Sequence, residues 1–299
     1  MNTEKLFLSV GAMKAGTTFL FGVLGKHPDI YFSPEKELHY FAHTQGLSWR
    51  LQRPLIASPL KAYRGIGPEA VLSDEFRRLR LSTVMRKRYS GVKNPKKLRT
   101  AVSWYVDRYM SNPIDQEWLN RVFERAKGRW CADFSNYNAL LSDKGWDNVR
   151  QHCKQLRVMY VMREPVSRCW SHMKFEMLPA GKRDDLLNGD VSIAETFLSG
   201  INSSHARYVD VVTSLRRNLA PEELHIVRLE DLVDNPLIEL PKIIDFLGVS
   251  DYDFSAVDAA RKANATEDLP IPPDVRALLE KVLAPHIDLY NEFAGPSRT

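Results

Sequence analysis

The chain has 299 residues, 44% hydrophobic and 26% charged, with 15 Gly and 17 Pro; these proportions exclude a disordered, collagen-like or disulfide-stapled miniature protein and allow a large core. Forty-two Lys and Arg against 37 Asp and Glu give a net charge of +5, which fits an anionic partner without identifying one. The excess is local: residues 77–99 hold ten basic and no acidic side chains, so the rest of the chain sums to −5.

Residues 6–10 form a short apolar run, followed by Gly11-Ala12-Met13-Lys14-Ala15-Gly16-Thr17-Thr18 and then Phe19, Leu20, Val23 and Leu24 at helical spacing, the pattern of a strand, a glycine-containing loop and a helix. Gly25 and His27-Pro28-Asp29 end that helix, and residues 30–32 suit a second strand. Residues 43–128 read as a helical and irregular insertion, with Trp118, Leu119, Val122, Phe123 and Ala126 at helical spacing. Strands are predicted over 130–133 and 157–162. The second ends at Arg163-Glu164-Pro165, where Pro suits the first turn of a helix to about Met177. A strand over 224–229 and helices over 236–247 and 274–293 complete the pattern. Strands alternating with helices predict an α/β fold, a parallel sheet flanked by helices, with ligands at the carboxyl ends of the strands. A single domain over 1–299 is the simplest organisation.

Cys131, Cys153 and Cys169 lack zinc-ligand spacing and do not form a disulfide framework, which fits a reducing, cytoplasmic setting. The expectation is a protein neither exported by its own signal nor membrane-spanning.

A glycine turn between strand and helix presents N–H groups and the positive end of a helix to an anion. The nucleoside-triphosphate loop needs Lys directly after its second Gly and then Ser or Thr for magnesium. Here Lys14 lies inside the loop and Thr17 follows Gly16, which favours an anion bound without a required metal. Taken alone, the loop also fits a glycine turn that only packs a helix on a strand.

This segment, with His27-Pro28-Asp29-Ile30, Lys36-Glu37-Leu38-His39-Tyr40-Phe41 and Arg163-Glu164-Pro165-Val166-Ser167-Arg168-Cys169-Trp170-Ser171, resembles sulfotransferases that use 3′-phosphoadenosine 5′-phosphosulfate, especially the heparan-sulfate-type and bacterial branch. Leu229-Glu230-Asp231-Leu232 and Phe246-Leu247-Gly248-Val249 extend the resemblance, while 43–128 and the last fifty residues match weakly. It implies the P-loop-like sulfotransferase fold and sulfuryl transfer from that donor to a hydroxyl, in preference to an amine.

The resemblance places Lys14 at the phosphosulfate and the bridging oxygen, with Ala15, Gly16, Thr17 and Thr18 around the 5′-phosphate. It gives Arg163 and Ser171 to the 3′-phosphate and Glu37 the role of general base. His39 is the rival base, since imidazole titrates near neutrality; two residues from Glu37, it would share its face in an extended segment. Its preferred role is to support Glu37. Without the resemblance, Glu37 reads as a solvent-facing strand residue; Arg168 equally suits an exposed helix charge and is not placed in contact with the donor. Lys262, with Arg261 as alternate, is a loose match to a loop closing over adenine.

Tyr137 occupies the acceptor mouth of related enzymes and equally suits the core; Trp104, Trp118, Trp146 and Trp170 suit ring platforms or packing. The acceptor is a small molecule or a glycan. The basic block reads as a solvated face ahead of a glycan groove or a protein-docking surface. Two other functions compete: an ATP-dependent kinase or other phosphoryl transferase, which the Lys placement disfavours, and a polyanion-binding protein, which leaves the loop motifs unexplained. No helix-turn-helix or zinc finger supports nucleic-acid binding.

Overall fold

In a computed structural model, which describes residues 3–33, 36–48, 115–257 and 267–294, the first apolar run becomes strand β1 (Thr3–Ser9), followed by helix α1 (Thr17–Leu24) and strand β2 (Ile30–Phe32). Helices α2 (Tyr40–Thr44) and α3 (Gln116–Phe123) precede β3 (Trp130–Phe134). Helix α4 (Asp143–Gln151) leads into β4 (Cys153–Met162), and α5 (Pro165–Met177) leaves it. Before β5 (Leu224–Arg228), in a stretch to which the sequence pattern assigns no element, lie α6 (Arg183–Leu187), α7 (Val191–Ser199) and α8 (Tyr208–Asn218). Helices α9 (Leu229–Asp234), α10 (Pro236–Leu247) and α11 (Pro273–Glu292) follow.

The strands lie in the order β2-β3-β1-β4-β5, every neighbouring pair parallel. Leu6, Phe7 and Leu8 are fully buried, as are all residues from Val158 to Met162. Such unbroken burial is what a parallel sheet covered on both faces requires. Leu8 pairs with Asp133 on one side and Val158 on the other; β1 and β3 therefore end level at Ser9 and Phe134, while β4 runs on past Met159 to Met162 alongside the loop that follows β1. A second apolar cluster joins Val166, Cys169, Trp170 and Met173 of α5 to Leu279 and Leu283 of α11, fixing α5 from its other side.

Three boundaries differ from the sequence pattern. Strands β1 and β4 begin earlier than their apolar runs because Thr3 pairs with Cys153 and Lys5 with Gln155 through the backbone, while Lys154 and Gln155 remain exposed. Leu229 opens α9 instead of ending β5. Within the expected insertion, α3 forms as its spacing predicts: Asp115 accepts the Trp118 N–H (2.9 Å), and Trp118, Leu119, Val122 and Phe123 are buried. Most of that insertion, including the 77–99 basic block and Trp104, lies outside the described residues. No described helix is long and apolar enough to cross a membrane.

Candidate active site

The loop after β1 is tied to the sheet before it turns. Val10 donates to the Met159 carbonyl (3.0 Å), Ala12 to that of Val161 (2.6 Å), and Val161 in return to Gly11 (2.8 Å). Gly16 is the N-cap of α1 with φ 75° and no side-chain cap, so the first-turn N–H groups at Thr17 and Thr18 have no intrahelical acceptor and suit an anion. Glycine suits the left-handed backbone angle here, and a Cβ on Gly16 would press on the Leu229 side chain, which would have to shift.

Glu37 and His39 do not lie on an extended strand, so they do not share a face through strand alternation. Both are left-handed, with φ 67° and 59°, and the segment turns over the end of β3. Glu37 donates its N–H to the Phe134 carbonyl (2.9 Å), Leu38 to Asp133 Oδ1 (3.2 Å) and His39 to Ser135 Oγ (2.9 Å). Ser135 in turn donates to Asp133 Oδ1 (2.7 Å). Asp133 is fully enclosed, and burial raises its pKa. The resulting turn brings Glu37 Oε2 to 3.8 Å from His39 Nε2, while Glu37 Oε1 accepts from Lys36 Nζ at 3.0 Å. His39 is buried, its Nδ1 has no partner among the described residues, and its ring lies against Tyr137 (5.1 Å between centroids).

Arg163 stands where β4 ends. Its Nη1 donates to the Lys14 carbonyl (3.3 Å), linking two segments 149 residues apart. Tyr208 clamps its backbone, accepting the Arg163 N–H (3.1 Å) and donating to the Arg163 carbonyl (2.8 Å). Glu164 caps α5 by accepting from Val166 (2.9 Å) and Ser167 (2.7 Å). Ser171 is buried in the middle of that helix.

A sulfotransferase family model matches residues 7–253. The chain belongs to the sulfotransferase family. Its fold is similar to that of a sulfotransferase from Alicyclobacillus acidocaldarius (17% identity, TM-score 0.57, covering 98% of both chains). It is also similar to the sulfotransferase domain of the Synechococcus PCC 7002 olefin synthase (18% identity, TM-score 0.50, covering 94% of this chain and 95% of that one). No curated protein matches the chain.

In this sulfotransferase, four described non-glycine residues have positive φ: Lys14, Glu37, His39 and Lys127. The first three are the residues to which the resemblance gives the chemistry, and sparsely populated backbone conformations concentrate at functional sites. They also share one electrostatic environment. Lys14 has its pKa lowered by burial first, then by Arg163 and Lys174, with Glu37 acting in the opposite direction. Its ammonium lies 4.2 Å from the Phe175 ring centroid. Lys36, Glu37, Arg163, Lys174 and Phe175 thus surround Lys14.

The sequence pattern did not single out Lys174, whose Nζ donates to the Glu267 carbonyl (2.9 Å), nor the clamp residue Tyr208. Arg168 is a correction: it is fully buried, not an exposed helix charge. The spacing held a signal, since Arg168, Ser171 and His172 share one helix face, and that face turns inward. Trp118, Trp146 and Trp170 are packing residues, all buried; Tyr137 is half-buried beside His39. Lys262 and Arg261 lie outside the described residues.

Proposed function

We propose that this sulfotransferase moves a sulfuryl group from 3′-phosphoadenosine 5′-phosphosulfate to an acceptor hydroxyl by in-line transfer, with Glu37 as general base. The observation that carries this reading is the Arg163–Lys14 junction, which gathers two sequence-distant anion-binding segments within the field of one carboxylate, Glu37. The residues fit the donor: the N–H groups at the uncapped start of α1 suit its 5′-phosphate, and the Arg163 fork with the Ser171 hydroxyl suits its 3′-phosphate. Ala15 and Gly16 let the loop backbone approach, and Lys262 is proposed at the adenine side.

In the reaction the acceptor oxygen forms a bond to sulfur, the bond from sulfur to the bridging phosphate oxygen breaks, and the acceptor proton passes to Glu37. Lys14 serves the oxygen on which negative charge grows, and a lysine with a lowered pKa is the stronger hydrogen-bond acid toward it. His39, 3.8 Å from Glu37, supports the carboxylate. Positioned cations carry the charge relief, and no resident metal is assigned a step. The whole chain is read as one domain, with 43–128 as its insertion and a small molecule or glycan as its acceptor.

Calorimetric titration with adenosine 3′,5′-bisphosphate, against ATP–Mg²⁺ as comparison, tests the reading. The bisphosphate is expected to bind tightly. Tight binding of ATP with no binding of the bisphosphate would sink the donor assignment.

A further inference from the structure

Two consecutive carbonyls of the anion loop are held from the β4–α5 side by two arginines. Arg163 Nη1 takes the Lys14 carbonyl at 3.3 Å, and Arg168 Nη1 takes the Met13 carbonyl at 3.4 Å. The second contact comes from an unusual side chain: Arg168 is 0% exposed, and its Nε and Nη2 have no hydrogen-bond partner among the described residues. It also forms no ion pair with any described carboxylate. Its surroundings are Tyr160, Tyr208, His172 and His205, and its charge acts on all four. Burial first and then Arg168 lower both histidines to about 3, so they are neutral near pH 7 and do not offset or add to its charge.

A buried guanidinium without a counter-charge destabilises the protein that carries it. That cost is offset where something meets the charge, and the contact at Met13 points to the anion loop. An anion loop binds through N–H groups, and each carbonyl turned toward the ligand would repel it. An arginine that captures the Met13 carbonyl keeps it turned away and places a positive charge beneath the loop.

We propose that Arg168 is a positioning residue of the donor site: it holds the Met13 carbonyl away from the anion, and the charge of the bound nucleotide meets its otherwise unneutralised guanidinium. This rests on the donor reading above. The proposal requires opposite signs in two measurements. Removing Arg168 relieves the free protein of a buried charge while weakening its hold on the anion; an ordinary structural arginine would lower stability and leave affinity alone.

The test titrates wild type, Arg168→Met and Arg168→Lys with adenosine 3′,5′-bisphosphate and measures the melting temperature of each without nucleotide. Arg168→Met, of similar length and uncharged, is expected to melt at or above wild type and to bind the bisphosphate at least about tenfold more weakly, the size of one lost charge-assisted hydrogen bond. Arg168→Lys keeps the charge without the fork and is expected between the two. An Arg168→Met protein that binds as tightly as wild type overturns the proposal. One that is unfolded or melts well below wild type does so too, since the free fold would then need the guanidinium. Failure of wild type itself to bind the bisphosphate rejects the donor reading instead, and the two failures are told apart by the wild-type titration.

Discussion

Lys14, Glu37 and Gly16 each occupy a backbone conformation that their neighbours impose, and each yields a separate prediction. Lys14→Ala removes the cation nearest the proposed bridging oxygen and is expected to abolish turnover. Glu37→Gln should lower turnover by about 10²–10⁴, the usual range for a lost general base, with bisphosphate affinity kept. Rates measured with labelled donor, together with calorimetry, separate these effects. Full turnover by Glu37→Gln would transfer the base role to His39, 3.8 Å away. Gly16→Ala meets both a φ of 75° and a Cβ pressed against the Leu229 side chain, and should destabilise by about 1–3 kcal/mol. Adding Leu229→Ala should recover the steric part but not the conformational part, so a urea-unfolding double-mutant cycle would show coupling without full rescue.

Helix α5 is where element structure and site depend on each other. Its N-terminus is set by Pro165 and the Glu164 side-chain cap, whose backbone N–H donates to Glu230 Oε1 (3.1 Å). Tyr290 of α11 donates to the other Glu230 oxygen (2.6 Å). The start of α5, which follows Arg163 directly, is therefore braced from α9 and α11. Glu164→Ala should cost about 1 kcal/mol in urea unfolding and weaken bisphosphate binding, whereas Glu164→Asp, also a good cap, should retain most of both. Apolar spacing made α1 and α3 legible because each buries a regular stripe, whereas α5, buried on nearly every side from Arg168 to Lys174, was legible from Pro165 at its first turn. It misplaced the starts of β1 and β4, where pairing is backbone to backbone and the side chains are polar. Local spacing left open whether Glu37 and His39 sit on an extended segment; the turn they form is made by hydrogen bonds to Asp133 and Ser135, about a hundred residues away in sequence.

Across the whole molecule, burial of polar groups behind the site should appear in the pH dependence of stability. His172 and His205 have pKa values of about 3 when folded against the ordinary 6.5. Between these limits the unfolded chain binds protons that the folded one does not, so stability falls as pH drops below 6.5. The slope is up to about 1.4 kcal/mol per pH unit for each histidine. Asp133, raised by burial, acts with the opposite sign above the ordinary carboxylate range, and comparison with a His205→Gln variant removes its effect. Unfolding by urea between pH 7.5 and 5 should give that variant a slope shallower by an amount that grows toward one proton as pH nears 5; equal slopes would reject His205 as a buried neutral imidazole. The sequence by itself determined the parallel α/β layout, the glycine turn with Lys14 inside it and the Arg163-to-Ser171 segment, because apolar periodicity and turn chemistry are local. Only the tertiary structure decided that Arg163 reaches the Lys14 carbonyl, that Glu37 turns toward His39 and that Arg168 is enclosed. Those features arise from contacts between distant segments, and which side of a helix or turn is buried is fixed only when the opposing elements are in place.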